Sequence, residues 1–203
     1  MAWGNYHANC GTWVFGVNRW DGPFGPPAGE TGKTEDLGTN DVGIKPQRYA
    51  DISDGTSRTA MFAEVANGLA PDYNAPRSKI GDCYEAGGGL PPSLVAARNS
   101  LMAMNWQTAG FAGGFSPAWR WKGYPWSEGT AWRGWYNHLL TPNNPCWRPG
   151  DWWAIVVPAS SYHTRGANVC MCDGSVRFVS DDVDPVVWWA TGSRNGGEPQ
   201  QLP

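Results

Sequence analysis

Charge is scarce in this sequence. Only 16% of the 203 residues are charged, against about a quarter in an ordinary soluble domain, and the 15 lysines and arginines form no run. Without a basic stripe there is no electrostatic footprint for a phosphate backbone, so nucleic acid is excluded as a partner. Long apolar runs are missing too: no stretch approaches the roughly 20 residues of a membrane-spanning helix. The opening Met1-Ala2-Trp3-Gly4-Asn5 lacks the basic-then-apolar layout of a secretory leader. A soluble chain with no membrane span is expected. The five cysteines, Cys10, Cys83, Cys146, Cys170 and Cys172, show neither the Cys-x-x-Cys spacing of zinc ribbons nor the Cys-x-x-Cys-His of haem attachment. One or two disulfides in an exported protein, with an odd thiol left over, is the plainer account.

What is abundant is glycine, proline and tryptophan, at 27, 17 and 14 residues. Such a chain is rich in turns and poor in long polar-faced helices, yet 41% hydrophobic residues are too many for disorder. We expect one globular domain over 1–203 of the α+β class, dominated by β-structure. Residues 1–17 read as strand material, with Tyr6 and the run Thr12-Trp13-Val14-Phe15, and 18–45 as a long loop. Thr59-Ala60-Met61-Phe62-Ala63-Glu64-Val65 reads as a mostly buried strand, and Ala154-Ile155-Val156-Val157 as another ended by Pro158. Ser93 is placed to cap a helix reaching about Met104, and Asp184-Pro185 to open one that closes at Gly192. Of Trp188 and Trp189, that short helix can bury one. Between Trp106 and Trp153 lie nine of the tryptophans with no repeat period, an irregular Trp-rich insertion over 106–153.

Asn168-Val169-Cys170-Met171-Cys172-Asp173-Gly174-Ser175-Val176-Arg177-Phe178-Val179 carries the strongest local signal, an Asp-Gly between two alternating runs. A two-residue loop of Asp173 and Gly174 would set Met171 against Val176 and Val169 against Phe178. Those four side chains would then face the core.

The segment from His163 to Asp173-Gly174, a histidine followed by nine residues and Asp-Gly, resembles the C-terminal signature of a large bacterial family of prepilin-like proteins of unknown function. Tyr49-Ala50-Asp51-Ile52-Ser53-Asp54-Gly55-Thr56-Ser57 is similar to that family's central segment, with Glu64 at its end. Thr141-Pro142-Asn143-Asn144-Pro145-Cys146 resembles its Pro-Asn turn, Ala159-Ser160-Ser161-Tyr162-His163 its lead into the signature, and Trp189 to Glu198 its C-terminal close. The resemblance implies a pilin-like globular head with an antiparallel sheet, a C-terminal Asp-Gly hairpin and long Trp/Gly/Pro-rich loops. It also implies an exported protein at the cell surface or outside it, which self-associates or meets filament neighbours. The family's apolar prepilin helix does not precede Asn5, so the resemblance implies a trimmed ectodomain or a chain without its anchor. Arg165 stands where the family commonly has glycine or another small residue.

Several residues are candidates for a site. His163 and Asp173, with Gly174, Asp54 and Gly55, form the signature, read as a hydrogen bond joining loop to hairpin, with a metal site or catalytic pair as the alternative. Ser160, Ser161 and Ser175 are available hydroxyls, but nothing resembles a Gly-x-Ser-x-Gly elbow. A non-catalytic protein with no cofactor is expected. Asp181, Asp182 and Asp184, with Asp51, Asp54 and Asp173 as further loop carboxylates, could supply oxygen ligands to calcium, although the spacing is no EF-hand; solvated acids and a helix cap are the plainer account. Cys83 with Cys146 is the preferred disulfide, both lying in turn-rich stretches, while Cys170 and Cys172 read as buried thiols, a distant bridge or, with His163, a soft-metal site. Trp119, Trp121, Trp132 and Trp135 are the candidates for contact with a partner or a glycan, in a set of indoles most of which are expected to pack inside.

Overall fold

In the computed structural model, residues 2–12, 20–25, 46–111, 118–129, 132–149 and 155–203 are described, and among them lie seven short strands and two helices. The strands are β1 (Tyr6–Asn9), β2 (Ala60–Glu64), β3 (Cys83–Glu85), β4 (Trp135–Tyr136), β5 (Cys146–Arg148), β6 (Gly166–Met171) and β7 (Val176–Ser180). The helices are α1 (Leu94–Met102) and α2 (Pro185–Gly192). The fold is therefore α+β. The expected run Trp13-Val14-Phe15 and most of the 18–45 loop lie outside the described residues.

A five-stranded sheet runs in the order β4-β1-β2-β6-β7, antiparallel apart from the β1–β4 pair. Its inner face carries Ala63, Ala167, Val169, Met171 and Val179 into the main core, where Trp119, Trp132, Tyr136 and Trp188 complete the packing. A bulge in β2 between Ala60 and Phe62 lets both Ala60 and Ala63 reach that core. Asp184 opens α2 as expected, its carboxylate accepting from the Val186 N–H at 2.7 Å. Trp188 is fully buried and Trp189 half-buried.

The second sheet pairs β3 with β5 in parallel, and its three rungs are chemically matched. Cys83 opposes Cys146 and the two are disulfide-bonded with Cα atoms 4.4 Å apart. Tyr84 opposes Trp147 with ring centroids 5.8 Å apart, and Glu85 receives Arg148 in a two-pronged ion pair of 2.7 and 2.9 Å. Against this sheet α1 lays Ala97 and Leu101, forming a second apolar cluster with Leu139, Leu140 and Val156. The stretch 106–153 is thus no mere irregular insertion, since it supplies β4, β5 and residues of both cores. Short strands here lack sequence alternation because each is only two or three residues long. Of the expected strand Ala154 to Val157, Ala154 lies outside the described residues and Val156 forms a single bridge with Trp147.

The β6–β7 hairpin forms, with a register one residue from the expected one. Cys170 pairs with Val176 and Val169 with Arg177, so the loop has three residues, Cys172, Asp173 and Gly174. The Gly174 N–H returns to the Met171 carbonyl at 2.9 Å, and Gly174 itself takes φ +86°. This is a turn followed by a left-handed bulge residue, the usual geometry of three-residue hairpin loops. Because side chains alternate, the shift turns one strand over. Val169 and Met171 face the core as expected, whereas Val176 and Phe178 lie 65% and 53% exposed.

Two glycines separate conformational strain from steric exclusion. At Gly174 an added methyl would meet nothing within 4 Å, so Gly174→Ala is expected to lower stability only by the left-handed backbone cost, about 1–2 kcal/mol. At Gly68 the same methyl would fall 2.0 Å from the Arg120 carbonyl oxygen, where residues 68–70 bond to 120–122. Denaturant titration should therefore show Gly68→Ala as the more damaging substitution, and equal losses would contradict the packing described.

Candidate functional site

His163 and Asp173 do not meet. They sit beyond opposite ends of β6, whose six residues span roughly 20 Å. The Asp173 carboxylate stays local, accepting from the Ser175 backbone N–H at 2.9 Å and the Ser175 hydroxyl at 2.7 Å, which holds its pKa below the usual range. His163 is largely exposed and places Nε2 3.5 Å from Glu64 Oε1. Glu64 is the organising group there. Burial pushes its pKa up, but bonds from the Asn168 backbone and amide (2.8 and 3.1 Å), from Ser161 and from the neighbouring His163 hold it lower than normal. The expected His163–Asp173 bond is replaced by a His163–Glu64–Asn168 cluster, because the loop before β6 folds over β2 rather than along the hairpin.

The other half of the signature lies at the hairpin tip. The Asp173 N–H donates to the Thr56 carbonyl and the Cys172 N–H to that of Thr59. Asp54 gathers the C-terminal close, accepting from the Gly196 and Gly197 N–H groups at 2.7 and 2.9 Å and from the Ser193 hydroxyl at 3.1 Å. Gly55 follows with φ +102°. These distant segments are joined through hydrogen bonds to backbone groups, which is structural work.

The three acids proposed for calcium are not assembled. Asp181 and Asp182 turn toward the Arg165 guanidinium, while Asp184 caps α2. Arg165 holds φ +62°, the left-handed region that suits the small residue expected there. Among the described residues no three His, Cys, Asp or Glu side chains converge on a cation position. Cys10, Cys170 and Cys172 are free thiols, and burial raises Cys10 strongly and Cys172 to about 11. Thiols held protonated in this way are poor nucleophiles. Cys170 lies on the half-exposed face of β6, its thiol turned to the Met171 carbonyl at 3.5 Å.

Sequence reasoning missed the buried cations. Arg120 is fully enclosed, bonded to Asp82 at 3.1 and 3.2 Å and donating to the carbonyls of Asp72 (2.7 Å) and Ala75 (2.9 Å). Lys122 is enclosed beside it and donates to the Ile80 carbonyl; burial drives its pKa down to about 7 against the pull of Asp82. In Trp119-Arg120-Trp121-Lys122 both cations are enclosed along with Trp119, where hydropathy alone would leave them in water. Both buried histidines are forced neutral by burial, His7 to about 4 and His138 to about 3. A carbonyl can only accept, so His138 Nδ1 carries the proton to Trp188 O (2.8 Å), and Nε2 accepts from the Tyr136 hydroxyl (3.1 Å).

Of the tryptophans proposed for contact, Trp119 and Trp132 are buried against each other with centroids 4.3 Å apart, and so belong to the core. Trp135 is half-covered by Trp20, and Trp121 is half-buried. Among the described residues the exposed indole is Trp126. It drew no attention in the sequence because its neighbours Pro125 and Ser127 give no pattern.

The family described as "Protein of unknown function (DUF1559)" matches residues 5–186, and the chain belongs to that bacterial family. No curated protein and no solved structure matches the chain.

The buried histidines set a pH dependence. Both bind protons in the unfolded chain below the ordinary value of 6.5 but not in the fold until about pH 4 or 3. Their contribution is therefore complete above pH 6.5 and is lost as pH falls below it, by up to about 1.4 kcal/mol per pH unit for each ring. Urea titrations between pH 7 and 5 should follow this slope, and His138→Gln should remove one ring's share of it. An unchanged slope in that variant would contradict a buried neutral His138.

Proposed function

We propose that this member of the family is an exported, non-catalytic surface protein, a pilin-like head whose work is contact with further copies of itself in a larger assembly. The observation that carries this reading is the outer strand of the large sheet. Among the described residues β7 pairs with β6 on one side only, and its outward residues Val176 and Phe178 are exposed. Exposed apolar side chains on an edge strand, with backbone groups available for pairing, are a template for a neighbouring chain. Pairing of β7 with itself would close a dimer, and pairing with a different patch would build an open polymer.

The chemistry of the polar groups supports the same reading. Glu64 is bonded to Asn168, Asp54 to the C-terminal close and Asp184 to the α2 N-terminus. Activation of a nucleophile needs an adjacent base, and Ser161 and His163 each turn to the Glu64 carboxylate. The disulfide between β3 and β5 fits an oxidising compartment. Among the described residues no helix is long and apolar enough to cross a membrane. The resemblance of the His163 to Gly174 segment to prepilin-like proteins supplies the pilin-like part of the proposal.

Sedimentation over a wide concentration range tests it. The protein is expected to associate as concentration rises, and the double variant Val176→Lys, Phe178→Lys to remain monomeric with its stability changed by no more than about 0.5 kcal/mol, as befits surface positions. A wild-type chain that stays monomeric at the highest concentrations, or a double variant that associates equally well, contradicts the proposal.

A further inference from the structure

A second exposed surface lies where residues 2–4 run beside residues 121–126. The Gly4 N–H bonds to the Gly123 carbonyl at 2.8 Å and the Trp126 N–H to that of Ala2 at 3.1 Å. These bonds gather five aromatic rings from three segments. Trp3 and Trp121 lie nearly parallel, 6° apart with centroids at 6.2 Å, and Tyr124 sits 5.0 Å from the first and 5.3 Å from the second. The Trp121 indole N–H donates to the Tyr73 hydroxyl at 2.8 Å, and Trp121 also packs against the main core. Trp126 flanks the group beside Gly4 and is 62% exposed, with Tyr73 at 41%. Buried area cannot account for an indole left so open on a chain that encloses Trp119, Trp132, Trp147 and Trp188.

We propose that this aromatic group is a binding site for a neutral saccharide chain. Three features favour that occupant. First, the rings of Trp3, Trp121, Tyr124 and Tyr73 are held before any ligand arrives, by their mutual contacts, the core contact of Trp121 and the Trp121–Tyr73 hydrogen bond, so little of their side-chain entropy remains to be lost on binding. Second, the group joins flat apolar faces to polar tips. The C–H face of a pyranose lies on an indole, while the Tyr73 and Tyr124 hydroxyls and the Trp126 N–H can meet ring hydroxyls at its edge. Third, the charged groups around the site are already engaged. Glu128 pairs with Arg133, Lys122 is enclosed and donates to the Ile80 carbonyl, and the Asp72 carboxylate next to Tyr73 accepts from the Asn74 and Ala75 N–H groups. The aliphatic surface suited to a protein seam lies elsewhere, at Val176 on β7, so this site is independent of the self-association proposed above.

Calorimetry and tryptophan fluorescence with three soluble probes, cellohexaose, chitohexaose and maltohexaose, test the proposal and sort the linkage it takes. At least one hexasaccharide should bind in the micromolar to millimolar range, with affinity unchanged between low and high salt because no ion pair is involved. Trp126→Ala, at an exposed position with little role in folding, and Trp3→Ala should each weaken binding about tenfold or more, the equivalent of about 1.4 kcal/mol. The Val176→Lys, Phe178→Lys variant should bind as the wild type does, which separates failure of this site from failure of the association. Absence of binding to all three probes at millimolar concentration, binding abolished by salt, or binding unaffected by both tryptophan substitutions would overturn the assignment.

Discussion

A buried carbonyl left without a donor costs on the order of 1–3 kcal/mol, and much of the backbone buried here lies in loops where no ladder supplies one. Side-chain N–H groups take over that role. Arg120 serves Asp72 and Ala75, Lys122 serves Ile80, and Arg194 serves Trp20 and Gly22. Asn9 bridges Ala60 and Gly192, and Asn137 reaches Ile155. The indoles of Trp188 and Trp189 cap the adjacent carbonyls of Leu140 and Leu139. Trp188 therefore does two things at once, filling core volume and donating a hydrogen bond from inside it, whereas the buried indoles of Trp20 and Trp147 serve the core by volume alone.

This dependence also decides what was legible in the sequence. Elements whose signals are local were readable: the Ser93 to Met104 region becomes α1, Asp184-Pro185 to Gly192 becomes α2, and the Asp-Gly segment becomes a hairpin. The hairpin's register was not readable, because Asp-Gly serves both a two-residue turn and the last two positions of a three-residue loop. The difference is settled by bonds from Cys172 and Asp173 to Thr59 and Thr56, more than a hundred residues away. Strands β3, β4 and β5 were invisible for a related reason, since β3 pairs with Trp119 and with β5, and β4 pairs with β1, all remote in sequence. The enclosed Arg120 could not be anticipated from hydropathy, which places arginine in water.

The site residues divide along the same line. The signature residues His163, Asp54 and Asp173 were identifiable as special, yet Glu64, Gly196 and Gly197 turn the first two into braces between distant segments, while the Asp173 carboxylate stays with Ser175. The sequence placed contact among Trp119, Trp121, Trp132 and Trp135. In the fold Trp119 and Trp132 are core, and the open aromatic surface draws on Trp3, Tyr73, Tyr124 and Trp126 as well as Trp121. Exposure follows from tertiary closure around the disulfide and the buried cations, and no composition rule could assign it.

Side-chain donors make the loops as firm as the sheet. Amide hydrogen exchange on the full chain measures this directly, because protection reports local opening. The loop amides of Gly68, Ala70 and Trp119 bond to the carbonyls of Lys122, Arg120 and Cys83. They should be protected to the same degree as those of Ala167 and Val169 in β6. Rapid exchange of these loop amides while β6 stays protected would contradict it.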